Sequence, residues 1–172
     1  MREGEQEFPA GAGHEVTVTR EQLVGLLNED LSREYQAIIS YVVYSQAIKG
    51  AEFMNIASQL EKHASDELKH ALLISRQIDY LGGMPTPVSK PVKISSDART
   101  MLMADLENEN ETVRNYTERV RQCEILGEYA MAEHIREILK DEQDHQIDLA
   151  MALNLDVPVV NWELRNGRSL RH

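Results

Sequence analysis

A single cysteine, Cys123, stands in a chain of 172 residues. A lone thiol excludes an internal disulfide and a four-thiolate metal site, so the sequence suits a reducing compartment and a cytoplasmic location is expected. Positive charge is scarce as well: 18 Lys and Arg face 29 Asp and Glu, a formal net charge of −11. Such a chain repels phosphate backbones, which removes the electrostatic basis for binding nucleic acid and makes cations the natural partners. Long apolar runs are missing too. None approaches the roughly 20 residues that span a bilayer, and the opening MREGEQEF lacks the apolar stretch of a signal peptide, so a soluble protein without membrane association is expected. Tryptophan occurs once, at Trp162, where it points to a contact with the body of the protein or a neighbouring subunit.

Proline is confined to positions 9, 85, 87, 91 and 158 and punctuates what is otherwise helical patterning. Residues 1–17 carry Gly4, Pro9, Gly11 and Gly13 among charges without an apolar period, and are expected to form a mobile tail. Thr19 and Gln22 have the spacing of a capping box, and Leu23, Leu27, Leu31, Ile38, Tyr41 and Ile48 follow at helical spacing, predicting helix A up to about Gly50. Helix B should run from about Glu52 to the Gly82-Gly83 pair. Pro85, Pro87 and Pro91 then exclude helix. The segment 82–95 can reach about 46 Å when extended, against about 45 Å for a 30-residue helix, so it can run the length of a bundle. Helix C should span Ser96 or Asp97 to about Leu126, and helix D Glu128 to about Leu153. Short connections around Gly50 and Gly127 demand antiparallel neighbours. The expected architecture is an all-α four-helix bundle over 18–153, built from two antiparallel pairs joined by a long crossover. Residues 154–172, broken at Pro158, form a tail or short helix.

The chemistry sits in a repeat. Glu67-Leu68-Lys69-His70 recurs as Glu142-Gln143-Asp144-His145, and each copy is preceded, 33 residues upstream, by a glutamate, Glu34 or Glu109. Glu and His three apart on a helix share a face and can address one metal ion. The offset of 75 holds beyond the ligands at core positions: Asp30 falls on Asp105, Leu31 on Leu106, Tyr41 on Tyr116, Ile56 on Met131, Leu60 on Ile135. Two α-hairpins of one design would pack about a pseudo-two-fold axis passing between two metals. Any one glutamate is ordinarily a surface charge. Glu34, however, has Leu27, Leu31, Ile38 and Tyr41 at −7, −3, +4 and +7, and Glu109 has Leu102, Leu106, Val113 and Tyr116 at the same offsets. Both carboxylates therefore lie on buried faces, and a buried carboxylate needs a cation. Four Glu and two His from four helices form the ligand pattern of di-iron and di-manganese carboxylate bundles, with Glu34 and Glu109 bridging or terminal. Tyr41 is placed to hydrogen-bond a ligand or donate an electron, or else is a plain core residue. His63 shares the face of Glu67 as a supporting group, an accessory ligand or a core histidine, whereas His134 is expected to be exposed.

The stretches LNEDLSREYQAIISY, HASDELKHALLISRQIDYLGGMP, MLMADLENEN and REILKDEQDH resemble those of ferritin-like proteins, and most of all bacterioferritins. The resemblance covers about residues 19–153. It implies a ferroxidase centre with Glu34 and His70 on one iron, Glu109 and His145 on the other, Glu67 and Glu142 bridging, and Tyr41 beside them. Bacterioferritins bind haem between subunits through a methionine in Glu-Met-Lys-His; Leu68 stands there here, and no haem is expected. Lys62 replaces an inner-surface iron-binding histidine of some relatives, while Asp66 is retained.

The expected function is oxidation of Fe(II) by O2 or H2O2 at two Fe per subunit, for iron storage or detoxification. Manganese would suit the same ligands. The rivals are a catalase-like or peroxide-reducing di-metal enzyme and a DNA-protecting mini-ferritin, the latter opposed by the acidic charge; a rubrerythrin is disfavoured by the missing CxxC pair. The ending NGRSLRH bears a weak resemblance to tails that target encapsulin shells, although a disordered basic end is the plainer reading. Tyr35, Ile39, Val42, Val43 and Tyr44 on helix A, with Leu72, Leu73 and Leu81 on helix B, exceed what one core face requires, which predicts a homo-oligomer built from two-fold dimers.

Overall fold

The computed structural model describes residues 18–157. The expected mobile tail at 1–17, and Trp162 with the rest of the last segment, lie outside the described residues. Four α-helices follow one another: α1 Arg20–Ala47, α2 Met54–Tyr80, α3 Ala98–Ile125 and α4 Tyr129–Leu153. No strand occurs among the described residues. The capping box at α1 forms as its sequence predicts, Thr19 Oγ1 accepting from the Gln22 amide at 3.1 Å while the Thr19 amide donates to Gln22 Oε1 at 2.9 Å. Asp97 caps α3 by accepting from the Thr100 amide at 2.8 Å. The second helix starts later than expected, because Ala51–Phe53 form a 3-10 turn before α2.

Helices α1 and α2 form one antiparallel hairpin, and α3 and α4 the other. The segment between them follows α1 from end to end. The Thr86 amide donates to Asn28 Oδ1 at 2.7 Å, the Lys90 amide to the Ser32 carbonyl at 3.0 Å and Gln36 Nε2 to the Pro91 carbonyl at 2.7 Å. Tyr44 OH then donates to the Lys93 carbonyl. Partners thus advance along α1 from residue 28 to residue 44, so α3 begins at the far end and runs antiparallel to α1 and parallel to α2. The turn into this crossover is a Schellman motif: the Gly83 amide donates to the Ile78 carbonyl at 2.9 Å and that of Gly82, at φ 83°, to the Asp79 carbonyl at 2.8 Å.

The apolar core is divided in two. Leu23, Leu27, Leu31, Ile74, Ile78, Met131, Ile135 and Ile138 fill one half, and Tyr41, Tyr44, Leu60, Leu102, Leu106, Leu149 and Leu153 the other. Between them lie buried charged side chains, so the bundle surrounds a polar layer that its own packing alone would not favour.

Candidate metal centre

All six residues of the repeat motif meet in that layer, each at most 4 % exposed. Glu34 comes from α1, Glu67 and His70 from α2, Glu109 from α3, and Glu142 and His145 from α4. They form two groups whose candidate ligand atoms lie within 4.8 Å of one another: Glu34, Glu67, His70 and Glu142, and Glu67, Glu109, Glu142 and His145. Glu67 and Glu142 belong to both. His70 Nδ1 lies 3.0 Å from Glu67 Oε2 and 3.2 Å from Glu142 Oε1, while His145 Nδ1 lies 3.0 Å from Glu67 Oε1 and 3.4 Å from Glu142 Oε2. The Nδ1 atoms of both rings therefore face inward.

The opposite nitrogens face acids at the rim. His70 Nε2 is 3.3 Å from Asp141 Oδ2, and His145 Nε2 is 3.8 Å from Asp66 Oδ2. Asp66 and Asp141 are themselves related by the 75-residue repeat, and each serves the histidine of the other helix. Asp141 lies within hydrogen-bond distance of its imidazole and can hold the proton on Nε2 when Nδ1 gives up its own, whereas Asp66 stands slightly farther off. The same crossing recurs with tyrosine: Tyr41 OH donates to Glu109 Oε1, and Tyr116 OH donates to Glu34 Oε1. Each half of the bundle thereby holds one oxygen of the other half's carboxylate. Tyr41 pairs with Glu109, not with its near neighbour Glu34, because α1 and α3 run antiparallel. Tyr116 and Asp141 escaped the sequence reading as site residues, although adding 75 to Tyr41 and Asp66 finds both.

Burial pushes the carboxyls of Glu34 and Glu109 well above the usual range, and the charges of Glu142 and Glu67 push them further. Burial acts on Glu67 in the same direction, but hydrogen bonding by His145 and His70 outweighs it and its pKa is lowered. Against burial, the carboxylates around them raise the imidazoles, His70 far above its ordinary value and His145 up to about 11. Protons thus help to balance this cluster: both imidazoles are held in their charged form, and the carboxyls of Glu34 and Glu109 are shifted toward their neutral form. Even so, Glu34 Oε2, Glu67 Oε1, Glu109 Oε2 and both oxygens of Glu142 are buried without a well-formed hydrogen bond, although an imidazole Nδ1 lies 3.0 to 3.5 Å from four of the five. Buried carboxylate oxygens whose hydrogen bonding is incomplete, converging from four helices with two inward imidazole nitrogens, fit a pair of divalent cations.

Of the remaining candidates, His63 is buried and stacks on His145 with ring centroids 4.0 Å apart, its Nε2 3.1 Å from Asp148 Oδ2. It belongs to the wall of the centre and to neither ligand group. His134 is half-exposed on α4, with Nδ1 3.7 Å from Glu137. Leu68 lies on the outer face of α2 at 53 % exposure, away from the centre.

Fold and site define a class, the four-helix bundle with a paired carboxylate–histidine cluster at its middle. A family model described as "Ferritin: Ferritin-like domain" matches residues 24–156, and the chain belongs to that family. It is 25% identical over 135 residues to a bacterioferritin of Brucella melitensis, covering 78% of this chain and 84% of the relative. To a bacterial ferritin of Neisseria meningitidis it is 29% identical over 134 residues, covering 77% and 87%. Among solved structures, a ferritin-like, diiron-carboxylate protein of Bacillus anthracis superposes with a TM-score of 0.75 at 33% identity, covering 78% of this chain and 97% of that one. A dodecameric thioferritin of Bacteroides fragilis shares the fold, with a TM-score of 0.73 at 24% identity over 80% and 88% of the two chains.

Proposed function

We propose that this protein is a ferroxidase, taking up two Fe(II) per subunit at the central cluster and oxidising them to Fe(III) with O2 or H2O2, in the service of iron storage or detoxification. The observation that carries this reading is the pair of overlapping ligand groups sharing Glu67 and Glu142. Two Fe(II) held side by side supply one electron each, so a two-electron oxidant is reduced without release of a one-electron product. Glu34 with His70 would hold one ion, Glu109 with His145 the other, and Glu67 with Glu142 would bridge them; carboxylate and imidazole donors also admit manganese. Tyr41 and Tyr116 occupy Oε1 of Glu109 and Glu34, leaving Oε2 of each as the oxygen presented to the cation. Loading displaces the protons on the His70 and His145 imidazoles, whose pKa values are raised, so uptake is tighter at higher pH.

The six side chains are buried between the two apolar cores, with the more exposed Asp66 and Asp141 at the rim. Leucine at position 68 offers no ligand to iron, and we expect no haem of the bacterioferritin kind. No helix among the described residues is long and apolar enough to cross a membrane, and a cytoplasmic setting fits the lone buried Cys123.

An anaerobic Fe(II) titration followed by rapid mixing with oxidant tests the proposal. Two Fe(II) per subunit should bind and be oxidised in one fast phase, which Glu67→Ala or Glu142→Ala should abolish. Unchanged kinetics in both variants would rule the centre out.

A further inference from the structure

Away from the metal centre, a cavity of about 600 Å3 opens at the end of the bundle where α3 begins. Its walls are mostly apolar: Tyr44, Ile94, Met101, Met103, Leu106 and Leu155. Two of them, Ile94 at 69 % and Met103 at 42 %, are exposed far beyond what a core residue tolerates. The chain itself leads into this groove. Arg99 Nη1, in the first turn of α3, donates to the Leu153 carbonyl at 3.1 Å. Asn154, in the left-handed conformation at φ 55°, then turns the backbone through a Schellman motif, the Leu155 amide donating to the Ala150 carbonyl at 2.9 Å. Leu155 thereby lies in the groove wall, and fifteen residues, 158–172, follow just beyond it.

We propose that the groove is the docking site of the chain's own C-terminal segment, with Trp162 and its aliphatic neighbours Val159, Val160 and Leu164 against the exposed face of Ile94 and Met103. Trp162 is seven residues beyond Leu155, a reach of at most about 23 Å, so it can return over a groove whose wall Leu155 already forms. The segment is chemically matched to its seat. It carries three arginines against one glutamate in a chain of net charge −11, while the Glu107 carboxylate in the groove wall is met at 3.1 Å by Lys93 of the same wall. Aromatic and aliphatic side chains are the ones whose burial in such a groove releases most free energy. Docking would fasten the end of α4 to the start of α3 and to the end of the crossover, which Tyr44 already ties down through the Lys93 carbonyl.

Because Trp162 is the sole tryptophan of the 172 residues, the chain reports on its own seat. Its emission should lie to the blue of the urea-unfolded chain, with acrylamide quenching several-fold weaker. Met103→Glu and, independently, Ile94→Glu should shift emission to the red and raise quenching toward the unfolded value, with the helical circular dichroism unchanged. A paired-cysteine variant, Met103→Cys with Val160→Cys, should oxidise to a species of monomer size on a denaturing gel. Trp162 as accessible in the native as in the unfolded chain overturns the proposal. So does protection that neither charged variant disturbs, or a cross-link of dimer size, which would place a second copy's segment in the groove.

Discussion

Asp30 and Asp105 occupy equivalent positions in the two halves of the bundle, both buried at 2 % exposure, yet they are not equally provided for. Arg119 forks onto Asp30, Nε to Oδ2 at 2.6 Å and Nη2 to Oδ1 at 3.3 Å, and its Nη1 donates to Gln122 Oε1 at 2.7 Å. The position equivalent to Arg119 in the other half is Tyr44, whose hydroxyl is taken by the Lys93 carbonyl. Asp105 is left with Ser40 and no cation, and burial pushes its carboxyl up to about 8. A raised folded-state pKa means stability that is complete below the unfolded value, near 4, and is lost as pH rises through 8. Asp105→Asn, which needs no proton to be neutral, should therefore match the parent at pH 4 and outlast it increasingly above. The gain should be on the order of 4 kcal/mol between pH 5 and 8 by the linkage slope, read from urea unfolding of the apo protein at each pH. At the centre, Tyr116→Phe removes the donor from Glu34 Oε1 and frees that carboxylate to rotate. We expect slower paired oxidation with Fe(II) stoichiometry intact, and a matching effect from Tyr41→Phe; loss of binding in either variant would make the tyrosines part of the fold and not of the positioning.

Glycine carries different meanings in different elements. Gly25 lies on the exposed face of α1, where an added Cβ meets nothing within 4 Å, so it only weakens the helix. Gly25→Ala should stabilise the protein by about 1 kcal/mol. Gly83 is needed at the head of the crossover, because a Cβ there would fall 2.4 Å from Val24 Cγ1 and 3.1 Å from Ile78 Cγ2. Gly83→Ala should destabilise by about 1–3 kcal/mol, since the segment cannot retreat without giving up the Schellman bond to Ile78. Thermal unfolding of the pair distinguishes the two, and a common sign for both substitutions would contradict the close approach.

The whole molecule keeps an apolar face that its own bundle does not cover. Ile39 and Val42 on α1 and Leu68 and Leu72 on α2 are each 44 % exposed or more. Part of the surplus anticipated there is internal after all: Tyr44 is buried in the core, and Tyr35, Val43, Leu73 and Leu81 pack at its margin. The smaller remaining stripe still suits a self-complementary contact between two copies related by a two-fold axis. A contact of that kind predicts that Val42→Glu with Leu72→Glu lowers the sedimentation coefficient in analytical ultracentrifugation, and an unchanged value would assign the stripe no such role.

Helical periodicity, Pro and Gly punctuation and the 75-residue offset decided the four helices, their pairing and the long crossover, because these depend on local preference and on length. The inward direction of Glu34 and Glu109 was legible from the apolar residues one and two turns away, and that of the other four from the Glu-x-x-His spacing and the repeat. Partners across helices were not legible. That Tyr41 serves Glu109, that Asp141 backs His70, that Arg119 neutralises Asp30 while Asp105 goes without, and that Tyr44 turns inward all follow from the antiparallel setting of α1 on α3 and of α2 on α4. The sequence determines which face of each helix is buried; which buried groups then touch depends on the rotation and stagger of one helix against another, and only the packed tertiary structure sets those.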